Sequence, residues 1–204
     1  MTIDIASIVP SMRDFLQAIG TRRKRLALVP LVERADEARA LCEAGVAAFA
    51  MLAPSDGMRA VSAAVGSNPL LSLAPIATEM EALTARAAGA DAVIIAAGSD
   101  AASWDAIAKH ARTTRMAALA GVTDRPSAGL CAKTMAKGVY LQVSGMAEVS
   151  SVMPLLGSLR VIAQLASVDE TTLRALRGVV DAVIVESDVY LSTSFESLRE
   201  ELDP

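Results

Sequence analysis

The sequence predicts an α/β fold in which eight parallel strands alternate with helices and close into a barrel. A short pattern recurs four times: a helix end, a glycine turn and an apolar strand. Its copies are AGVAAFAM at Gly45, AGADAVII at Gly89, AKGVYLQV at Gly138 and RGVVDAVIV at Gly178. The intervals are about twice the length of one strand–helix unit, so each accommodates a second strand. We therefore predict a single-domain (β/α)8 TIM barrel, with an open doubly wound sheet as the alternative.

Four further apolar runs supply the missing strands. They are RLALVPLV (25–32), PLLSLAPI (69–76), RMAALAGV (115–122) and LRVIAQLA (159–166). Continuous apolar runs of this length are typical of strands buried on both faces, as in a parallel sheet covered by helices. We assign the eight strand–helix units to residues 25–204, and an N-terminal helix with its lead-in to residues 1–24.

Helix starts are marked by polar residues at capping spacing. Ser11 with Asp14, Ser167 with Glu170 and Thr193 with Glu196 have the spacing of a capping box. After the fourth strand, Ser99 or Asp100 is expected to cap the next helix, and after the eighth strand Ser187 or Asp188 has the same role. These assignments favour a capping role over catalysis for both aspartates.

Composition argues against several classes of partner. The net charge of -4, with only four lysines, provides no basic stripe for nucleic acid. The cluster Arg22–Arg25 is interpreted as a solvated turn. No apolar run is long enough to span a membrane, the N-terminal stretch does not resemble a secretory signal, and Cys42 and Cys131 fit helix positions in a reduced protein. We therefore expect a cytoplasmic protein.

In this fold the active site lies at the carboxyl ends of the strands. No lysine falls at a predicted strand end, which excludes a Schiff-base or general-acid lysine there. His110 is interpreted as a surface residue. No set of His, Cys or carboxylate residues has metal-ligand spacing, so neither a metal nor a cofactor is predicted.

Carboxylates and two arginines remain at the strand ends. Glu186 is a weak catalytic candidate, because it ends an apolar run whose burial would favour the neutral acid. Asp124 and Arg125, together with Arg34, could bind an anionic ligand. Asp188 adds a further negative charge beside Glu186.

Several segments together resemble indole-3-glycerol-phosphate synthase, a barrel enzyme of tryptophan biosynthesis. They are PSMRDFLQAI, RLALVP, EARALCEAGVAAFAML, ARAAGADAVIIAA, VIAQLASVDETTLRALRGVVDAVIVESDVY and SFESLREEL. The resemblance implies a carbon–carbon lyase that uses lysine and glutamate as acid and base. Phosphoribosylanthranilate isomerase is the second family considered; its length fits better, but its cysteine-containing first strand end is missing here.

The resemblance also implies that the catalytic groups have been replaced. The family positions fall on Leu28, Pro30, Leu73, Gly121, Ser144 and Gln164. Leucine and proline cannot transfer protons, and Glu186 would place negative charge where the family binds phosphate. The sequence thus favours a non-catalytic homologue with an interaction or binding role, as a homo-oligomer or with a pathway protein. The alternatives are a diverged but active synthase and a barrel repurposed to bind a small molecule.

Overall fold

The predicted closed barrel is confirmed. A computed structural model describes residues 8–20, 25–52, 56–192 and 195–202. Its strands are all parallel and pair in chain order around a closed circle, β8 returning to β1. Their bounds are β1 Ala27–Leu31, β2 Phe49–Met51, β3 Leu70–Ile76, β4 Ala92–Ile95, β5 Ala117–Val122, β6 Gly138–Val143, β7 Arg160–Leu165 and β8 Ala182–Glu186.

Ten helices occur in the described part of the chain, and none of them is long and apolar enough to cross a membrane. Eight follow the strands in alternation, with one before β1 and one extra after β8. Their bounds are α1 Phe15–Ala18, α2 Ala35–Glu43, α3 Asp56–Ala64, α4 Glu79–Ala88, α5 Ala101–Thr113, α6 Arg125–Cys131, α7 Met146–Leu156, α8 Glu170–Leu176, α9 Ser187–Leu191 and α10 Glu196–Leu202.

The strands separate two apolar cores. Alternate strand residues point into the barrel and form an inner core, which includes Val29, Leu71, Ile94, Leu119 and Ile162. The intervening residues point outwards and pack against the helices in an outer core. Because the side chains of a strand alternate between faces, both sides of each strand are apolar, which explains the continuous runs seen in the sequence.

The short helix α1 closes the amino-terminal end of the barrel. Phe15 and Ile19 are fully buried and belong to the inner core, alongside residues at the starts of the strands. The barrel interior is therefore filled by side chains from the strands and by a plug from the N-terminal segment. Such filling makes the inside of the barrel a packed core.

A buried carboxylate anchors that N-terminal segment. Asp91, which directly precedes β4, is fully buried and accepts hydrogen bonds from the backbone N–H of Leu70 and the hydroxyl of Ser11. It also forms ion pairs of 2.8 Å with Arg13 and with Arg86. Two arginines and two further donors compensate the cost of burying this charge.

The predicted helix caps are confirmed in part. Asp100 caps α5, as expected. Ser11, however, is not the cap of α1. The helix begins at Phe15, and Asp14 caps it by accepting the N–H of Gln17, while the Ser11 hydroxyl donates to Asp91 and accepts the N–H of Arg13. At α8 the cap is Asp169, which accepts from the N–H of Thr172, so the assignment to Ser167 is wrong. Thr193 and Arg22 to Lys24 lie outside the described residues, as does Ser55.

Candidate functional site

The carboxyl ends of the strands and the loops that follow them form the mouth of the barrel. Side chains alternate between the two faces of a strand, so the residue two positions after an inner-core residue also points inward. Counting in this way along each strand identifies the residues that face the mouth. They comprise apolar residues from β1 to β5 and polar residues from β6 to β8: Leu31, Pro75, Gly121, Gln142, Gln164 and Glu186. Leu52, which directly follows β2, adds an exposed apolar side chain.

The polar half of the mouth is organised around Tyr140. This side chain is buried in the inner core, and its hydroxyl donates a hydrogen bond to Oε1 of Gln164 on the neighbouring strand. Gln142 and Gln164 are direct register partners of β6 and β7. Burial raises the pKa of the Tyr140 hydroxyl to about 12, so it remains protonated and acts as a hydrogen-bond donor at neutral pH.

Glu186 lies at the inward-facing end of β8, opposite Leu31 of β1 in the register. Its side chain is exposed, so the burial that the sequence suggested is absent. A second carboxylate, Glu37, approaches from α2, where it accepts hydrogen bonds from the Ser187 hydroxyl and the Glu33 N–H. Partial burial opposes these bonds, but together they lower the pKa of Glu37 and keep it ionised. With Asp188 on α9, this corner of the mouth is acidic.

The residues proposed to bind an anion do not converge. Arg34 is exposed and pairs with Asp36 at 3.2 Å. Asp124 caps α6 by accepting hydrogen bonds from the N–H and hydroxyl of Ser127. The Arg125 guanidinium donates to the Ser151 carbonyl over 2.7 Å and so joins α6 to α7. Each of these charged side chains therefore either interacts with the end of a helix or links two helices, and none of them points toward a shared ligand site.

Two of the six positions read as replaced catalytic residues do not face the mouth. Leu28 lies in the outer core, and Pro30 shares its face by alternation. Whatever residue stood there, its side chain would meet the helices and could not act in the mouth.

The other four positions are differently placed. Leu73 belongs to the inner core, and Gln164 faces the mouth. Ser144 is exposed beyond β6, where its N–H donates to Glu148. At Gly121 an added Cβ would lie 2.7 Å from the Ile95 carbonyl, so glycine is required here for close approach of β5 to β4.

No metal centre is formed within the described ranges, where no three His, Cys, Asp or Glu side chains cluster. The described lysines also lie away from the mouth. Lys109 is in α5, while Lys133 and Lys137 lie in the connection between α6 and β6. His110 faces Glu79 at 3.4 Å on the outer surface.

One feature was not anticipated from the sequence. A cavity of about 380 Å³ lies on the amino-terminal face of the barrel, between the segment before α1 and the starts of β5 and β6. Its lining comes from three stretches that are far apart in sequence, which is why no local motif indicated it. We refer to it as the basal cavity.

The fold is shared with solved structures of several enzymes. 3-Hexulose-6-phosphate synthase superimposes with a TM-score of 0.65 at 16% identity, covering 87% of this chain and 97% of that chain. KGPDC from Streptococcus mutans superimposes with a TM-score of 0.67 at 12% sequence identity, covering 88% of this chain and 100% of that chain. 2,3-Dimethylmalate lyase, a PEP mutase/isocitrate lyase superfamily member, superimposes with a TM-score of 0.63 at 13% sequence identity. The match covers 90% of this chain and 83% of that chain. Neither a protein-family model nor a curated protein matches the sequence.

These similarities correct the resemblance to indole-3-glycerol-phosphate synthase, which was wrong. The matching structures include 3-hexulose-6-phosphate synthase, KGPDC and 2,3-dimethylmalate lyase, and no family model supports the tryptophan-pathway assignment. The segments that suggested it are strands and helices of the barrel scaffold, where apolar repeats are imposed by packing. At identities this low the likeness establishes the fold alone. The chain is a single-domain (β/α)8 barrel of the kind these enzymes share.

Proposed function

We propose that this barrel is non-catalytic and binds a small polar molecule, uncharged or cationic, at its mouth. The observation that carries the proposal is the chemical set facing the mouth: two amides, one carboxylate and one protonated phenol against an apolar wall. This set can donate and accept hydrogen bonds around a ligand. Binding sites of this kind combine apolar surface with a few convergent polar groups.

Acid–base or nucleophilic chemistry needs more than this set provides. General acid–base catalysis uses a group that gains and loses a proton near neutral pH, often with a partner that orients it. Gln142 and Gln164 cannot transfer protons, and Tyr140 holds its proton up to about pH 12. The other ionisable groups described at the mouth are carboxylates, Glu186 with Glu37 and Asp188 beside it, and the hydrogen bonds to Glu37 keep it ionised. No described lysine or histidine lies there to complement them as acid or base.

The charge at the mouth favours an uncharged or cationic ligand. Four carboxylates lie where β8 and β1 end and the helices after them begin: Glu186, Asp188, Glu33 and Glu37. The nearby cation Arg34 is paired with Asp36. In (β/α)8 barrels that bind phosphate, the site uses backbone N–H groups behind the seventh and eighth strands. Carboxylates at that location repel a phosphate dianion, so we propose that sugar phosphates are not ligands here.

The experiment is a thermal denaturation scan with matched ligands. Neutral polyols and sugars, amino sugars and a phosphorylated pentose, ribose 5-phosphate, are each added at millimolar concentration. A ligand present at about a hundred times its Kd stabilises the native state by roughly 2.7 kcal/mol, which raises the Tm by several degrees. We expect stabilisation by neutral or cationic compounds and none by the sugar phosphate.

The variants separate specific binding from general stabilisation. Gln142→Ala and Gln164→Leu should abolish the ligand-induced shift. Gln17→Ala, an exposed glutamine at the other end of the barrel, is the control and should leave that shift unchanged. Stabilisation by the sugar phosphate together with its consumption would contradict both the charge argument and the non-catalytic assignment.

A second candidate role is self-association, supported by exposed apolar side chains around the mouth. Leu52 is 55% exposed and Met80, at the start of α4, is 54% exposed. Association through this side would bury both residues. The test is sedimentation velocity of the protein and of a Leu52→Glu, Met80→Glu variant; a monomer at all concentrations in both would contradict this role.

A further inference from the structure

The basal cavity brings together three cations from separate parts of the chain. Arg112 lies at the end of α5, Arg115 in the turn that leads into β5, and Lys137 directly before β6. All three side chains are exposed. None of them forms an ion pair within the described part of the chain, and Arg115 contacts the sulfur of Met12 at 3.6 Å.

The other charges of the cavity are already compensated. Arg13 contributes to the lining but is paired with the buried Asp91 at 2.8 Å. Asp14 is the one carboxylate in the lining, and it accepts the N–H of Gln17 at 3.0 Å as the cap of α1. Three uncompensated cations against one carboxylate give the cavity a positive potential.

The floor of the cavity is apolar. Leu16, Ala117 and Ala118 are half-buried, so their carbon atoms are partly open to the cavity. Met12 and Met135 flank it and are 85% and 56% exposed. Flexible methionine side chains adapt to ligands of different shape. Cations above an apolar floor match a molecule with an anionic group at one end and an apolar body.

The backbone at Arg115 provides an independent argument. Arg115 adopts φ 57°, in the left-handed region that favours glycine. The other seven described residues with positive φ are all glycines. At this position, just after α5, glycine would also be the favoured helix-ending residue. An arginine thus occupies a position where glycine would be less strained, and its side chain lines the cavity.

We propose that the basal cavity is a binding site for a small amphipathic anion, one acidic head group on an apolar body. Arg112, Arg115 and Lys137 bind the head group, and the body lies on Leu16, Ala117 and Ala118. The volume of about 380 Å³ falls in the range of sites for small organic ligands. This site lies at the opposite end of the barrel from the mouth and does not depend on the function proposed there.

The test uses two fluorescent probes that differ by one sulfonate group. Anilinonaphthalene sulfonate carries the anionic group, and N-phenylnaphthylamine is the same ring system without it. We expect the sulfonate to bind the folded protein at least about tenfold more tightly, and its affinity to fall as salt is raised. Equal affinities would show that the cations are not used and would overturn the proposal.

Variants then locate the site. Arg112→Gln with Lys137→Gln should weaken sulfonate binding about tenfold or more, while Arg39→Gln, an exposed arginine on α2, should not change it. Arg115→Gly should weaken binding several-fold and yet raise the Tm by about 2 °C, because the backbone strain is relieved. A loss of affinity without a loss of stability excludes unfolding as its cause.

Two results would contradict the assignment. Sulfonate binding that is unchanged in all the cavity variants would place the probe elsewhere. Concentration-dependent dimerisation that is blocked by the probe, measured by sedimentation velocity, would identify the cavity as a contact between two copies of the chain.

Discussion

Ser72, in the middle of β3, has a fully buried hydroxyl with no hydrogen-bond partner among the described residues. A buried polar group without a partner costs about 1–3 kcal/mol of desolvation. We therefore expect Ser72→Ala to stabilise the protein by about 1 kcal/mol. Urea denaturation would measure this change.

The matched control for this change is Ser127→Ala. The Ser127 hydroxyl accepts the N–H groups of Thr123 and Asp124 and donates to the Asp124 carboxylate. Its removal should therefore destabilise the protein by about 1 kcal/mol. If Ser72→Ala is destabilising to the same degree, the Ser72 hydroxyl is hydrogen-bonded in solution and the expectation is wrong.

Removal of the Asp91 side chain, in contrast to that of Ser72, is expected to destabilise the protein. Its removal would leave the largely buried guanidinium groups of Arg13 and Arg86 without a counter-charge. Breaking such a buried network typically costs about 3–5 kcal/mol. We expect this loss for Asp91→Ala in urea denaturation, and a much smaller loss for Asp36→Ala, because the pair of Asp36 with Arg34 is exposed to solvent. A small effect at Asp91 would mean that the N-terminal segment is not anchored by it.

At the scale of the helices, three aspartate caps predict the response to acid. Hydrogen bonds from Ser103, Ser127 and Thr172 lower the pKa of Asp100, Asp124 and Asp169, respectively. Because each pKa is lower in the folded than in the unfolded chain, the caps stabilise the fold above the unfolded value of about 4. This stabilisation is lost as the pH falls through the folded pKa.

Replacing the three aspartates by asparagine tests this prediction. Asparagine caps helices as well as aspartate does but does not titrate. We expect the triple variant to show little change near pH 7, apart from a small loss of helix-dipole interaction, and a shallower fall in stability below about pH 4. The Tm of both proteins is measured from pH 7 to pH 3. If the Tm of the two proteins falls equally steeply at low pH, the aspartate caps are not the cause of the acid-induced loss of stability.

The elements themselves were largely predictable from the sequence, and their details less so. The glycine turns at Gly45, Gly89 and Gly178 adopt positive φ, as the repeat implied, whereas Gly138 is the first residue of β6. Helix starts were harder, because serines and aspartates with equal capping ability lie two or three residues apart, as Ser11 and Asp14 or Ser167 and Asp169 do. The structure decides between Ser11 and Asp14, because α1 begins at Phe15 and Ser11 lies in the preceding segment, against the buried Asp91.

The candidate site shows where sequence reasoning ends. An apolar strand gives no period-two signal, so the inward and outward faces of Leu28, Pro30 and Leu73 could not be distinguished. The basal cavity depends on residues that are distant in sequence and meet only after the barrel closes. Glu186 was recognised as a strand-end carboxylate, but its exposure and its neighbours Glu37 and Ser187 follow from the β8–β1 junction.

For the whole molecule, Cys131 offers a probe of global opening. Burial on α6 raises the pKa of its thiol to about 11, so the group is almost entirely in the unreactive thiol form at pH 8. The buried side chain is also inaccessible to a reagent. We expect alkylation of Cys131 in a Cys42→Ser variant to follow global unfolding and to accelerate in urea in step with the loss of stability. Fast alkylation without denaturant would reveal local opening of α6.

The pairing of β1 with β8 also bears on synthesis of the chain. β1 has five register partners on β8 and one on β2, so the first strand made finds most of its pairing on the last. While the middle of the protein is still being synthesised, the backbone groups of β1 that later pair with β8 have no partner. Phe15 and Ile19 cannot yet be buried, because the barrel that encloses them is incomplete. The unpaired strand of such a nascent chain can pair with the same strand of another chain that is being translated from the same messenger RNA, which leads to aggregation. Its yield in cells is therefore expected to depend on how quickly translation reaches residue 186.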